Sequence, residues 1–217
     1  LTATGEFGRT PSIQLNKVSS DLQFKVQGNG GADFTNVSTV QGWASEVSRY
    51  GVKSMKPADR DMLVEKVLGA YGQRGSGSFE VRPTNANGDF VSSVAGRTEN
   101  LVNLPGPVGM VALSSLAGGI SQNVYSFAME KERSQRFVCI SNDTVETSRF
   151  EFPPEVSVLA IPKQVRLQDA NVQYSARYAQ EGNAVVIERH FKFSRPDVVC
   201  SPEDFAAMRP AIEAMVR

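Results

Sequence analysis

The sequence predicts a mainly β protein, an antiparallel β-sandwich-like domain with two short helices. Segments rich in Val, Phe, Tyr and Thr recur between clusters of Gly, Asn and Pro, which is typical of many strands joined by turns. Several segments alternate apolar and polar residues, so each strand is expected to have a dry face and a wet face. The composition, 41% hydrophobic and 21% charged in 217 residues, is that of a globular chain able to bury a core.

The strand pattern extends over most of the chain, and turn sequences such as "QGNGGA", "TNANGD" and "QEGN" separate the strands. Because outward and inward residues alternate along these segments, a sandwich of two sheets is the expected architecture. The predicted strands are 12–18, 22–27, 33–40, 78–82, 122–130, 136–141, 145–152, 156–160, 163–167, 171–179 and 184–194.

The first predicted helix covers about residues 58–71. Pro57 suits the opening of a helix, and Gly72 suits its end. Between them apolar residues recur at helical spacing, which indicates one face packed on a core. These residues are Leu63, Val64, Val67, Leu68 and Tyr71.

The second predicted helix covers about residues 202–216. Ser201 suits the N-cap position, and Asp204 stands at the position where a capping box has an acidic or amide side chain. Pro210 conflicts with this helix, because proline removes a backbone hydrogen bond and clashes one turn back. We therefore expect a kink or an interruption at Pro210.

The chain is expected to form a single β-rich domain over 1–217. A subdivision is also compatible with the sequence. It has a first β region with a helix (1–103) and a second β region with the C-terminal helix (120–217). The segment 104–119, "LPGPVGMVALSSLAGG", is predicted to be an irregular connection between them.

The charge balance argues against nucleic acid and anionic lipid as partners. Lys+Arg and Asp+Glu are both 23, so no field of one sign favours a nucleic-acid backbone. No apolar stretch has the 18 or so residues that a membrane-spanning helix needs. The first residues lack an initiator Met and the layout of a signal peptide, so the chain is expected to be part of a longer protein.

His190, the only histidine, decides much of the case for catalysis. It lies in "VVIERHFKFSR" between Glu188 and Lys192, on the polar side of an alternating strand. Pairing with the preceding strand, with Tyr178 opposite Val185 or Ile187, places Gln173 or Ser175 across from it. We expect a solvated imidazole. Because no second histidine exists, no metal site and no cofactor are expected.

The two cysteines, Cys139 and Cys200, fit no zinc pattern. Two buried free thiols are the expected state, and a disulfide in an oxidising compartment stays open as the alternative. Since Cys200 precedes a helix N-terminus, a hydrolase that uses Cys200 and His190 is a further alternative. It requires the two side chains to lie within hydrogen-bond reach.

Three aromatic residues are candidates for ligand binding. Trp43 and Tyr50 flank "WASEVSRY", and Tyr125 lies in a predicted strand. An exposed aromatic side chain in a groove would suit a carbohydrate- or peptide-binding module. A single Trp is more commonly a core anchor, so burial of Trp43 is the competing expectation.

The C-terminal third carries a family resemblance. It consists of a strand running into "FPPE", a short strand ending in "IP", an alternating strand with Tyr174, a glycine turn followed by "ERHFKF", and a "PEDF" helix with Arg209. This succession resembles the C-terminal region of bacterial transglutaminase-like proteins that carry an N-terminal β-domain of unknown function. The resemblance covers 150–217 well and about 60–217 loosely.

The resemblance implies a non-catalytic role. In such proteins the papain-like Cys-His-Asp core lies upstream, and no catalytic residue of that core matches a residue of this chain. The implied function is a non-catalytic accessory module that packs against or positions the upstream domain of the same parent chain. The implied location is the periplasm or the cell envelope. An exposed apolar patch is expected where the two domains dock, near the N-terminus or near 104–119.

Overall fold

The structure is a computed structural model that describes residues 15–85, 88–109, 116 and 119–216. The described residues form a mixed sheet of eight strands and a small sheet of two. The mainly β character predicted from the sequence is confirmed. No described helix is long and apolar enough to cross a membrane.

The described residues contain ten strands and five helices. The strands are β1 (Asn16–Val26), β2 (Ala32–Gln41), β3 (Gly75–Val81), β4 (Phe90–Thr98), β5 (Phe137–Val138), β6 (Asn142–Glu151), β7 (Val165–Gln168), β8 (Val172–Glu181), β9 (Ala184–Phe193) and β10 (Val199–Cys200). The helices are α1 (Trp43–Ser54), α2 (Pro57–Asp61), α3 (Leu63–Ala70), α4 (Gly119–Met129) and α5 (Pro202–Val216).

The large sheet has the order β3-β4-β2-β1-β6-β9-β8-β7, with β3 and β7 at its edges. At its centre β1 pairs in parallel with β6, with Leu22 opposite Ser148, and the other neighbours are antiparallel. This central pairing joins strands of the two predicted β regions in one sheet. The expected antiparallel two-sheet sandwich is therefore not confirmed.

Apolar side chains are concentrated on one face of the large sheet, which the helices cover. Phe24 of β1 and Phe150 of β6 stack at its centre, with ring centroids 4.9 Å apart. The first cluster contains Leu22, Phe24, Val26, Ala32, Phe34, Val64, Leu68, Leu101, Val102, Leu116, Phe150, Val185 and Ile187. The second cluster contains Ile120, Val124, Cys139, Val172, Phe191, Phe193, Cys200, Met208 and Ile212.

Close approach of α3 to the sheet depends on glycine. A Cβ on Gly77 would lie 2.4 Å from the carbonyl oxygen of Ala95 and 3.0 Å from Val64 of α3. A side chain there would clash with the backbone of β4 and would also press on Val64 of α3. The glycines of the "GSGS" stretch thus allow Val64 and Leu68 to enter the first cluster.

Several local predictions need correction. Helix α1 was not predicted, and the expected helix 58–71 is divided at Met62 into α2 and α3. The segment 122–130 is helical, not a strand, because Ile120 and Val124 recur one turn apart and both enter the second cluster. Residues 156–160 form no strand. Part of the predicted strand 12–18 lies outside the described residues.

Helix α5 begins where the sequence predicts, and it is not interrupted at its proline. The Asp204 N–H donates to Ser201 Oγ at 3.2 Å, and the Ser201 N–H donates to Asp204 Oδ2 at 2.9 Å, which confirms the capping box. The helix continues through Pro210 without the interruption that was one of the two expectations, and a kink there stays a prediction. Pro210 is exposed, whereas Phe205, Met208 and Ile212 hold the opposite side on the core.

The prediction of two free thiols is wrong. Strands β5 and β10 pair antiparallel, and Cys139 and Cys200 form a disulfide across them with their Cα atoms 5.8 Å apart. Both residues are buried in the second cluster. The bridge links the segment before β6 to the start of α5, over a sequence separation of 61 residues.

Candidate functional site

Helix α1 carries an exposed apolar stripe. Trp43, Val47 and Tyr50 recur four and three residues apart, so they lie above one another on one side of the helix. Their exposed fractions are 55%, 48% and 74%. We call this stripe the α1 outer face. The structure thus brings two of the three candidate aromatic residues together, and Trp43 is not the core anchor of the competing expectation.

The side of α1 that faces the protein is polar over residues 45–49. Ser45 is buried and donates through Oγ to the Gly42 carbonyl at 2.8 Å, and Ser48 Oγ donates to the Ala44 carbonyl at 2.9 Å. Arg49 extends from the same side and donates to the carbonyl oxygens of Gly88 and Asp89. A surface helix normally turns its apolar stripe to the core and its polar side to water. In the first two turns of α1 this orientation is reversed, whereas Val52 in the last turn is half-buried.

The reversed orientation is fixed at the first turn of the helix. Gly42 has φ 77°, a left-handed conformation that glycine adopts without strain. The Ala44 N–H donates to Asn16 Oδ1 at 3.0 Å, which ties the helix to the beginning of β1. A side chain on Gly42 would place its Cβ 2.9 Å from that same Asn16 oxygen. The start of α1 is therefore held against the point where β1 begins.

Tyr125, the third candidate aromatic residue, lies on α4 and is 57% exposed. It lines a cavity of about 220 Å³ together with Tyr174 and Arg189, whereas neither Trp43 nor Tyr50 lines that cavity. The three aromatic candidates thus do not converge on one groove. Binding of a carbohydrate by these residues stays a prediction.

A buried ion pair borders the same cavity. Arg189 Nε and Nη2 donate to Glu146 Oε2 at 3.1 and 2.6 Å, and Arg189 Nη1 donates to Ser121 Oγ at 2.8 Å. The Ile120 N–H donates to Glu146 Oε1 at 2.7 Å. The pair connects β6 and β9 to the first turn of α4. It positions that helix on the sheet.

Burial changes the acid–base behaviour of this cluster. Desolvation raises the pKa of the Glu146 carboxyl, although Arg189 and the Ile120 N–H favour its charged form. Burial also raises the pKa of the Tyr174 phenol, against the opposing effect of Arg189. Since the charges of Glu146 and Arg189 compensate each other, the arrangement suits structural anchoring.

The sequence contained a signal for this pair. Arg189 is the one charged residue in the otherwise apolar inward series Val185, Ile187, Arg189, Phe191 and Phe193. A charge on that face predicts a buried partner of opposite sign. That partner is Glu146 of β6, whose side chain is only 1% exposed.

His190 lies on the open face of the large sheet, as its position in the strand predicts. Ser175 is across from it in β8, and the register with Tyr178 opposite Ile187 is one of the two expected. Its Nε2 atom is 2.6 Å from Asp143 Oδ1 of β6, with side chains 45% and 22% exposed. The solvated imidazole thus has a carboxylate partner that the sequence analysis did not identify.

The structure does not bring His190 and Cys200 together. Cys200 is fully buried in the second cluster, on the helical side of the sheet, and its sulfur is bonded to Cys139. A disulfide sulfur has no thiolate to act as a nucleophile. Among the described residues, no group of three or more His, Cys, Asp and Glu side chains is placed to hold a metal ion.

No family model matches the chain, and no curated protein matches it in sequence. The α1 outer face and the buried Glu146–Arg189 pair are features of different kinds. The first is exposed and apolar, which suits a contact with another protein surface. The Glu146–Arg189 pair is buried and its two charges neutralise each other, which suits a structural role.

Proposed function

We propose that the chain is a non-catalytic accessory module that packs through the α1 outer face against an upstream transglutaminase-like domain of the same parent protein. The observation that carries the proposal is the reversed orientation of α1, with Trp43, Val47 and Tyr50 directed to solvent and Ser45 to the core. Exposed contiguous apolar surface of this kind marks contact sites between proteins.

The energetics support a covering partner. Burying a large apolar side chain contributes about 1.5–3 kcal/mol relative to leaving it in water. Trp and Tyr are also the residue types that most often dominate binding energy at interfaces. Because these side chains of α1 are exposed, the domain alone does not gain this free energy of burial. A docked domain that covered them would provide it.

The position of α1 supports a partner on the N-terminal side. Asn16, at the beginning of β1, accepts the hydrogen bond from Ala44 in the first turn of the helix. A domain upstream of residue 1 would connect to the described fold at Leu15, which is close to the first turn of α1. Such tethering gives an effective concentration on the order of millimolar, so a modest interface would be occupied.

The disulfide supports the proposed location in the periplasm or cell envelope. Disulfides form and persist in oxidising compartments and are rare where cellular thiols keep cysteines reduced. Cys139 and Cys200 are paired and buried. A folded, disulfide-bonded domain is compatible with export of the parent protein, as the resemblance implies.

The proposal is tested by binding in trans. The upstream part of the parent protein, produced separately, is titrated calorimetrically into this chain and into the double variant Trp43→Ser, Tyr50→Ser. We expect binding to the unchanged chain and a loss of at least about tenfold in the variant, since two anchor residues are removed.

A matched control uses an exposed apolar residue elsewhere. Leu159 is 85% exposed and lies between β6 and β7. Leu159→Ser should bind the upstream domain like the unchanged chain. Equal losses in Leu159→Ser and in the double variant would contradict docking through α1, as would a lack of binding at concentrations of about 1 mM.

A further inference from the structure

Within the described part of the chain, the edge strand β3 has a row of backbone N–H and C=O groups without a strand partner. The Arg82 N–H bonds to the Val91 carbonyl, and the Glu99 N–H bonds to the Arg74 carbonyl, so the even-numbered residues of this segment are paired with β4. In an antiparallel ladder, the alternate residues point their N–H and C=O groups the other way. Those of Gly75, Gly77, Phe79 and Val81 therefore point to the free edge.

Among the described residues, strand β3 has little of the usual protection of an edge, with one charged side chain, Glu80. Proteins commonly block edges with Lys, Pro or a bulge. The sequence of β3, "GSGSFEV", contains neither Lys nor Pro, and it pairs with β4 residue by residue along its whole length. Within the described residues, β3 is the last strand on its side of the sheet.

A groove adjoins this edge on the helical side of the sheet. Its volume is about 600 Å³, and it lies between α1, α2 and strands β3 and β4. Phe79, Val81 and Phe90 contribute apolar side chains from the two strands. Because Phe79 and Val81 belong to the edge strand, side chains of a strand added to β3 would project over them into the groove.

The groove carries an excess of positive charge. Arg49, Lys53, Arg60 and a single acid, Asp61, line it. Arg49 is bound to Glu46 at 2.8 Å, whereas Lys53 and Arg60 have no ion-pair partner among the described residues. Arg60 lies over the Phe79 ring, with its Cζ atom 5.8 Å from the centroid. The charge complementary to this groove is acidic.

We infer that the β3 edge binds an extended acidic peptide segment of a partner protein, which adds to the sheet as a further strand. Backbone hydrogen bonds to Phe79 and Val81 supply affinity, and the groove selects alternate side chains, apolar over Phe79 and acidic toward Lys53 and Arg60. This site is separate from the proposed docking of α1. Arg49 and Lys53 do not lie in the stripe of Trp43, Val47 and Tyr50.

A second copy of the chain fits the groove less well than an acidic peptide. If β3 paired with the β3 of another copy, the incoming residues on the helical side would be Gly75, Gly77, Phe79 and Val81. None of these supplies a negative charge to Lys53 or Arg60. The acid of this strand, Glu80, is on the opposite face of the sheet.

The test uses defined peptides and NMR spectroscopy of the whole 217-residue chain. The probe is acetyl-Thr-Glu-Thr-Val-Thr-Val-Thr-Glu-Thr-amide, and its control has Lys in place of both Glu. We expect the amide signals of Gly77, Phe79 and Val81 to shift with the acidic peptide. We expect its affinity to exceed that of the Lys peptide about fivefold or more.

A variant with reversed charges in the groove provides a second test of the inference. Lys53→Glu combined with Arg60→Glu changes two exposed side chains, so the fold should be retained. The double variant should prefer the Lys peptide. The double variant Trp43→Ser, Tyr50→Ser should bind the acidic peptide like the unchanged chain, which separates this site from the α1 outer face.

Backbone pairing is tested with two N-methylated forms of the acidic probe, each methylated at alternate amides. Only one of them should lose binding, because only one set of amides faces β3. Equal binding of both forms would overturn the inference. So would an affinity unchanged by charge reversal, no shift at about 1 mM peptide, or occupation of the edge by a second copy of the chain.

Discussion

The carboxylate of Glu146 lies 2.6 Å from the guanidinium of Arg189 on the side of the sheet that the helices cover. On β9, Arg189 stands between Ile187 of the first apolar cluster and Phe191 of the second. Glu146 also accepts the N–H of Ile120, at the start of α4. The pair therefore joins the two clusters and seats a helix on the sheet.

Removing one charge of this pair should be costly. In Glu146→Gln an oxygen remains to accept the Ile120 N–H, but the Arg189 guanidinium is left buried without its counter-charge. We expect the free energy of unfolding to fall by about 3 kcal/mol, measured by urea denaturation. The exposed pair of Arg149 and Glu181 is the control, and Glu181→Gln should cost less than about 1 kcal/mol.

The coupling of the two charges is measured by a double-mutant cycle. Glu146→Leu combined with Arg189→Met leaves no unpaired charge, so its cost should be smaller than the sum of the single costs by about 1 kcal/mol or more. Additive costs would show that the two side chains act independently, against the structure.

The disulfide between Cys139 and Cys200 should stabilise the domain. It closes a loop with a sequence separation of 61 residues, for which the chain-entropy relation gives about 4 kcal/mol. The double variant Cys139→Ala, Cys200→Ala should unfold at a markedly lower urea concentration. A reductant should destabilise the unchanged chain and leave the variant unaffected. If thiol titration of the unfolded, unreduced protein finds two free cysteines, the pairing is wrong.

The capping box of α5 should give a defined pH dependence. Hydrogen bonding to the Ser201 N–H, together with Arg195 at 2.9 Å, holds the pKa of the Asp204 carboxyl below its ordinary value. A carboxyl with a lowered pKa in the folded state stabilises the protein above its unfolded-state pKa. That contribution is lost as the pH falls through the folded-state value.

The corresponding comparison is between the unchanged chain and Asp204→Asn. The difference in unfolding free energy should be complete above about pH 5 and should shrink as the pH falls below the ordinary Asp pKa of about 3.9 and the carboxyl becomes protonated. Urea midpoints at a series of pH values provide the measurement. A difference that stays constant over this range would show that Asp204 acts through its shape alone.

Features set by neighbouring residues were predictable from the sequence. The hairpin of β8 and β9 follows from alternation on both sides of a glycine turn, and the capping box follows from Ser201 and Asp204. Pairing of β1 with β6 was not predictable, because partners such as Leu22 and Ser148 are distant in sequence. A periodicity of two fixes the faces of a strand but not its neighbour.

The candidate sites were predictable only in part. Trp43 and Tyr50 were identified, but the segment between them was not recognised as a helix, since Gly42 lacks the side chain of a common N-cap. The carboxylate partner of Arg189 was not identified, because local sequence does not fix the direction of the Glu146 side chain. Its true direction depends on β1 and β9 on either side of β6, which only the tertiary structure defines.

The most direct test of the account uses the single tryptophan of the chain, which lies in the α1 outer face. The domain is labelled with 5-fluorotryptophan, and the unlabelled upstream domain of the parent protein is added while the fluorine NMR signal of Trp43 is recorded. The account predicts that this signal shifts and loses its response to exchange of H₂O for D₂O, because docking removes the ring from water. Binding that leaves both the position and the solvent response of the signal unchanged would contradict docking through α1.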